Sequence, residues 1–301
     1  MDMTPLYLCG IEYVHGDRHD IAELAGQLDP DLLSPDTGLS CYRASDLAIW
    51  ELAADAGART LKAASTPPDL VIYMTENDHV ASDSLNDLVR SLDLPDARYV
   101  RGSGHDCGNF GPALSLARQA LASGEHRQVL ILLADKVIDG DRSQADKLSV
   151  VSDGAAACLV TTEPPGIDGV RFAVNGISTV TDTEATSGSE AGDRILATVA
   201  LAAAGTAAIA GQTGRVAKDF DHLLFPNYRA IAQQFLCSAL AVPLDKLLFG
   251  PMAEFGHCFS ADSLVSLAHC ASTDEIRPGE HVLAFGDGQY SWSSLAIQRL
   301  G

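Results

Sequence analysis

The amino-acid sequence predicts an α/β protein made of two copies of one layered unit, related by pseudo-twofold symmetry. Three observations carry that reading. The chain matches itself: Pro68-Asp69-Leu70-Val71-Ile72-Tyr73 resembles Phe220-Asp221-His222-Leu223-Leu224-Phe225. The run Ala113 to Ala117, then Gly124-Glu125-His126, then Val129-Leu130, is echoed by Leu264 to Ala268, Gly279-Glu280-His281 and Val282-Leu283. These matches keep their order at offsets of 151 to 155 residues, as a duplicated unit would. Within a unit, short apolar runs alternate with segments of helical spacing, giving strand, helix, strand, helix, strand. Hydrophobic residues make up 47 % of the chain and aromatics 6 %, so the core is built from Ala, Leu and Val, which suit closely packed helices and buried strands.

Each element has its own signal. Residues 68–73 read as a buried strand. Residues 112–121 place Leu114, Ala117 and Leu121 at helical spacing with Leu116 and Ala120 beside them, and Ser123-Gly124 is a helix stop. Residues 129–134 and 155–160 are continuous apolar runs of the kind buried strands give, with Ser152-Asp153-Gly154 as the turn before the second. The two copies meet near Pro164-Pro165-Gly166, which divides the chain into residues 1–164 and 165–301. Residues 182–193 are polar and rich in Gly and Ser, and read as a loop. Residues 196–211 are mostly Ala and Gly, broken by Thr198, Gly205 and Thr206, and fall short of the ~20 apolar residues a bilayer requires. They read as a buried helix.

Composition removes several functions. There are 20 Lys and Arg against 40 Asp and Glu, a formal net charge of −20, and such a surface repels nucleic acid. The high apolar content excludes a disordered acidic tail. Seven cysteines with no C-x-x-C pair, and no signal sequence at Met1-Asp2-Met3-Thr4, suggest free thiols in a reducing cytoplasm. No membrane partner is expected.

Cys107 stands out among the seven. It lies between Gly102-Ser103-Gly104-His105-Asp106 and a helix that begins near Asn109 or Phe110. A thiol at a helix N-terminus feels the positive end of the dipole and nearby free N–H groups, so its pKa is expected to fall and thiolate to become available. The glycines let a substrate approach the backbone. Cys9, Cys158, Cys237 and Cys270 lie inside apolar stretches and read as inert packing.

The segment Cys107-Gly108-Asn109-Phe110-Gly111-Pro112-Ala113-Leu114-Ser115-Leu116-Ala117, then Ser123-Gly124, then the strand at 129–134, resembles the nucleophile segment of β-ketoacyl-acyl-carrier-protein synthase III and its thiolase-superfamily relatives. Ser152-Asp153-Gly154-Ala155 is similar to the family's Gly-Asp-Gly-Ala turn. Residues 276–280 and 284–288, followed by Ser291-Trp292, resemble its final Gly-rich strand and loop. The resemblance implies the duplicated thiolase fold, with five layers α-β-α-β-α, and a dimer. It also implies two further catalytic residues in the second half: a His in a Pro-His-Gln-Ala-Asn segment and an Asn in a Gly-Asn segment. These positions fall in Phe225-Pro226-Asn227-Tyr228-Arg229 and in Phe255-Gly256-His257-Cys258-Phe259-Ser260, and the two residue types are exchanged. The expected constellation is Cys107, Asn227 and His257, with His257 the acid/base for Cys107 and Asn227 a donor to the substrate carbonyl. The N–H of Cys107 with that of Asp287 or Gly288 would form the oxyanion hole. Gly286-Asp287-Gly288-Gln289 lacks the second catalytic cysteine of true thiolases, which speaks against thiolytic cleavage.

Candidate pocket residues are His105, Glu76 and Phe259, with His79 near Glu76. His105 could be a second acid/base or a polar plug in a turn. The implied function is an acyltransferase or condensing enzyme with an acyl-Cys107 intermediate. Its donor would be acyl-CoA or an acyl carrier protein, its acceptor a malonyl thioester, an amine or an alcohol, and it would need no cofactor or metal. The setting would be fatty acid, polyketide or other specialised-metabolite biosynthesis. The other reading is an assisting subunit of a ketosynthase heterodimer, but retention of Cys107 favours the enzyme. The helix after Asn227, residues 228–240, carries only Arg229 as a cation, so docking of an acidic carrier protein is expected to be weak.

Overall fold

Continuous apolar runs become strands with every residue inside. The computed structural model describes residues 5–78, 82–144, 147–164, 169–182 and 191–301. Its strands are β1 (Leu6–His15), β2 (Asp17–Asp20), β3 (Cys41–Ala44), β4 (Leu70–Met74), β5 (Arg98–Gly102), β6 (Val129–Asp135), β7 (Gly154–Thr161), β8 (Phe172–Thr181), β9 (His222–Leu224), β10 (Leu247–Leu248), β11 (His281–Asp287) and β12 (Ser291–Arg299). Its helices are α1 (Ile49–Leu61), α2 (Ser82–Leu92), α3 (Phe110–Ala122), α4 (Ala191–Thr213), α5 (Ala230–Ala239), α6 (Met252–Phe255) and α7 (Asp262–Ser272).

Ten strands pair in the order β10-β9-β11-β12-β8-β1-β7-β6-β4-β5, and β2 pairs with β3 as a separate ribbon. From the centre outward the two arms read β1-β7-β6-β4-β5 and β8-β12-β11-β9-β10. Their pairings also agree, antiparallel for the inner members and parallel for the outer three. Among the described residues, the strand pairing that links the two arms is Leu6–Leu8 against Phe172–Val174. The internal repeat is therefore a repeat of topology, with β4 matching β9, α3 matching α7 and β6 matching β11.

Helices α3 and α7 are buried between the arms: Leu114 and Ala117 of α3 and Leu264 and Leu267 of α7 share one core with Ile72, Ile131, Ala284 and Leu295. On the far side of the first arm, Leu52, Ala53 and Ala56 of α1 pack with Val71, Tyr73, Leu130 and Leu132. On the far side of the second, Leu201, Ala202 and Ile209 of α4 and Leu236 of α5 pack with Leu223, Leu283 and Trp292. This is the five-layer α-β-α-β-α order. Alanine on the middle helices lets them lie close to both sheets, and truncating a leucine there would cost ~2–5 kcal/mol.

The 196–211 segment departs from expectation. It belongs to a 23-residue helix, α4, whose stretch Ile195–Thr213 has mean hydropathy 1.6 and is long and apolar enough by length and composition to cross a membrane. In the fold it is a surface helix rather than a buried one: only 28 % of that stretch is buried, and Leu196 is 69 % exposed. The many alanines explain both facts, since each raises the mean hydropathy while exposing little apolar area. Residues 165 and 166 of the expected junction and 183–190 of the expected loop lie outside the described residues, and that loop ends where α4 begins at Ala191.

Candidate active site

The nucleophile turn lies between β5 and α3. Gly104, at φ +102°, makes the reversal that a side chain would resist, and Asp106 follows at φ +46°, a strained value for a non-glycine residue. The turn is held from one point. Glu76 Oε1, just beyond β4, accepts from the N–H groups of Gly104 (2.5 Å), His105 (3.1 Å) and Asp106 (3.0 Å) and from Asn109 Nδ2 (2.7 Å). Glu76 is itself anchored, because its N–H donates to Asp135 Oδ1 at 2.8 Å, as do Asn77 N and Thr75 Oγ1 at 3.0 Å. Cys107 is thereby presented, 5 % exposed, at the head of α3.

Opposite it, α6 ends at Gly256 and the chain passes through His257 into α7. Cys107 Sγ is 2.9 Å from His257 Nε2, and His257 Nδ1 is 2.5 Å from Asp262 Oδ2. Both His257 and Asp262 are buried. Because a carboxylate only accepts, Nδ1 carries the proton and the Nε2 lone pair faces the sulfur. Asp262 Oδ2 also accepts from Asn227 N (2.8 Å), and its Oδ1 accepts from Cys258 N (2.7 Å) and Asn227 Nδ2 (3.2 Å). Burial pulls the His257 pKa down, but Asp262 outweighs it and leaves the imidazole above its ordinary value.

Burial pushes the Cys107 thiol well above its ordinary pKa, and Asp287, Asp106, Asp262 and Asp135 push it further. This corrects the expectation of a free thiolate: burial first, and the surrounding carboxylates second, favour the neutral thiol. A buried thiol of this kind is activated by handing its proton to a base at hydrogen-bond distance, the place His257 occupies.

Over Tyr228 and Asp287 lies a cleft of about 290 Å³ whose other lining residues are the apolar Leu148, Ile195, Ile231, Ala232, Phe235 and Leu236 with Thr198 and the cation Arg229. The Tyr228 hydroxyl donates to Asp287 Oδ1, and the Tyr228 ring centroid is 5.5 Å from that of His257. Burial raises the Asp287 carboxyl to about 6, against the Tyr228 hydrogen bond and the field of His257. Gly286 is obligatory next to it, since a Cβ there would meet the Cys107 carbonyl oxygen at 2.7 Å. The strand end thus lies directly on the nucleophile turn.

Residues 104–176 match the family model of 3-oxoacyl-[acyl-carrier-protein] synthase III, and residues 211–299 match the model of that family's C-terminal part. Together the two matches span more than half of the chain. The chain belongs to the 3-oxoacyl-acyl-carrier-protein synthase III family. It is accordingly an enzyme of the acyl-transferring, condensing class with the thiolase fold.

Solved structures agree on the fold of this synthase III family member. It superposes on ChlB3, described as an acyltransferase, with TM-score 0.84, 19 % identity and 98 % of each chain covered. For the synthase III FabH of Pseudomonas aeruginosa PAO1 the values are 0.82, 18 % and 98 % of each chain. For the C143S form of Xanthomonas campestris OleA, solved with bound lauric acid and lauroyl-CoA, they are 0.79, 14 %, and 97 % of this chain with 98 % of that one.

In this synthase III family member the structure brings Cys107 and His257 together and places Asn227 behind them. The Asn227 side chain is fully buried, donating to Asp262 and accepting from Ser266 Oγ at 3.3 Å, so it braces the aspartate and makes no hydrogen bond to Cys107. Of the expected oxyanion donors, the Gly288 N–H is engaged with the Ser291 carbonyl at 2.8 Å in the β11–β12 turn. The His105 carbonyl accepts from Gly108 N at 2.8 Å, while its ring makes no contact with Cys107, as a turn residue would. Phe259 has its ring 6.1 Å from that of His257 and takes φ +51°. Glu76 is the clamp of the nucleophile turn, and His79 lies outside the described residues. Asp262 and Tyr228 are absent from the residues expected from sequence. The available signal for Asp262 was an acidic residue in the first turn of a helix, five positions after His257.

Proposed function

We propose that this enzyme is an acyltransferase that works through an acyl-Cys107 thioester. The observation that carries the reading is the buried line from Cys107 Sγ to His257 Nε2 and from His257 Nδ1 to Asp262 Oδ2. As a donor thioester binds, Cys107 gives its proton to His257 and its sulfur attacks the acyl carbon. The N–H of Cys107 stabilises the oxyanion, and collapse expels the donor thiol, which takes the proton from His257. Asp262 fixes the imidazole tautomer and stabilises the imidazolium while it lasts, with Asn227 holding Asp262 in turn. No cofactor or metal enters these steps.

Coenzyme A is the favoured donor. Helix α5 carries no Lys or Arg and exposes Ile231 and Phe235 at the cleft mouth, and with a chain charge of −20 this gives an acidic carrier protein little to hold. The lauroyl-CoA bound to the similarly folded OleA supports the same donor class. A homodimeric cytoplasmic enzyme of fatty acid, polyketide or specialised-metabolite biosynthesis completes the proposal. Incubation with short acyl-CoA thioesters followed by mass spectrometry tests it: a mass gain on Cys107 that disappears in Cys107→Ala is expected. An adduct that persists in Cys107→Ala, or none in the wild type, overturns it.

A further inference from the structure

Cys107 is 5 % exposed and His257 is fully buried, so the pair is closed to a substrate as it stands. A thioester has to bring its carbonyl carbon to about 3–3.5 Å from the sulfur before reaction can start. A protein group must therefore move to admit it. The cleft between α4 and α5 stops short of the pair: its lining includes Tyr228 and Asp287 but neither Cys107 nor His257. Those two residues are shared between the cleft and the site behind it. The Tyr228 ring centroid is 5.5 Å from that of His257, and Gly286, next to Asp287, lies so close to the Cys107 carbonyl oxygen that a Cβ would meet it at 2.7 Å. Tyr228 and Asp287 are joined to each other by the hydrogen bond from the tyrosine hydroxyl to Asp287 Oδ1. The backbone around Tyr228 is fixed, because its carbonyl accepts from Gln233 Nε2 at 2.6 Å and Arg229 N donates to the Leu148 carbonyl at 2.7 Å. Movement is left to the side chain, whose tip is held by Asp287 alone.

Building on the acyl-Cys107 reading, we propose that Tyr228 is a gate and Asp287 its latch. With the hydrogen bond made, the phenol ring separates the cleft from Cys107 and His257. With it released, the ring turns aside, using the cleft as the room it needs, and the thioester end of the donor passes from the cleft to the sulfur. The closed arrangement keeps bulk water from the acyl-Cys107 thioester while it waits for an acceptor. The gate works as an equilibrium between the two arrangements, so the rate at which any small reagent reaches the sulfur reports the fraction that is open.

The test measures access to Cys107 without relying on acyl chemistry. The purified full chain is treated with iodoacetamide, a small neutral reagent whose iodide the Cys107 sulfur displaces, and the Cys107 peptide is followed by mass spectrometry. Tyr228→Ala should be alkylated at least tenfold faster than wild type, as when the closed arrangement outnumbers the open one by that factor or more. Tyr228→Phe keeps the ring and removes only the latch; it should gain about threefold, and it serves as the second variant should Tyr228→Ala fail to fold. Ala232→Trp fills the cleft, and added to Tyr228→Ala it should return the rate to within threefold of wild type. That reversal separates an opened route from a thiol made more reactive. Rates within twofold of wild type for both Tyr228 variants, or a gain that survives Ala232→Trp, overturn the proposal. Acetyl-CoA is the second probe: a chain whose alkylation follows this pattern but which takes no acetyl group on Cys107 overturns the acyl-enzyme reading and leaves the gate standing.

Discussion

Asp135 ends β6 and Asp287 ends β11, equivalent strands of the two copies, 152 residues apart. In the first copy the aspartate is turned inward, accepting from Thr75, Glu76 and Asn77 and so fixing the loop after β4. In the second it faces a cleft and accepts from Tyr228, which stands in the equivalent loop at the position of Glu76. The same scaffold place fixes a loop on one side and lines a cleft on the other. Cys107 and His257 repeat the lesson. They are 150 residues apart, each leading into a middle-layer helix, and the pseudo-twofold axis brings the two helix heads face to face. Symmetry supplies the meeting point, and divergence between the copies supplies a nucleophile on one side and a base on the other.

The largest effect should come from removing the second copy's contribution. His257→Ala is expected to slow acylation of Cys107 by about 10²–10⁴-fold at pH 7, the range for loss of a general base. Asp262→Asn should fall in the same range, because the amide no longer fixes the imidazole tautomer. Quenched-flow mass spectrometry of the acyl-enzyme reads both. A His257→Ala rate within tenfold of wild type would break the comparison, since the first copy would then suffice alone.

Next comes the clamp. Glu76→Ala takes one acceptor from four donors while leaving Cys107 and His257 in place, and misplacing a reacting group by about 1 Å can cost 10²-fold. A loss of about 10–100-fold in the acylation rate is expected, with a wild-type circular dichroism spectrum. An unchanged rate would mean that the strained turn holds its shape without Glu76.

Much of this was legible in the sequence, for a physical reason. Buried strands and the helix at 112–121, echoed at 264–268, carry their signal in local apolar patterning, so the repeat and the place of Cys107 could be read directly. Contacts between the copies could not. Asn227 was read as a substrate donor because its segment matches a catalytic position, yet in the fold its amide turns to Asp262. Asp262 itself looked like an ordinary helix-terminal acid. The Cys107 thiol was expected to ionise easily from its helix position, but its burial opposes this, and beside the adjacent Asp106 the carboxylates of Asp287, Asp262 and Asp135 reach it only in three dimensions. The exposed face of α4 misled for another reason, since alanine reads as apolar whichever way it points.

The smallest effect separates the two aspartates by pH. Burial raises Asp135 to about 7, opposed by the hydrogen bonds of Asn77, Glu76 and Thr75, and Asp287 to about 6, both from an ordinary 3.8. A carboxyl whose folded pKa is raised holds its proton in the native state after the unfolded chain has released it. Its contribution to stability is therefore complete below about pH 4 and lost as pH rises, by about 7 for Asp135 and about 6 for Asp287. Asp135→Asn keeps an oxygen under the three donors and puts an amide where Oδ2 has no hydrogen-bond partner. The variant should match or exceed wild-type stability at pH 8, by up to about 1–3 kcal/mol once the loss of charge-assisted hydrogen bonds is set against the removed desolvation. Its advantage should vanish toward pH 4. Thermal unfolding followed at pH 4, 5, 6, 7 and 8 reads this, with the Asp135→Asn and wild-type curves converging at the acid end. Asp287→Asn should close its smaller gap by about pH 6 downward, and parallel curves for either variant would show that the aspartate is not the group being titrated.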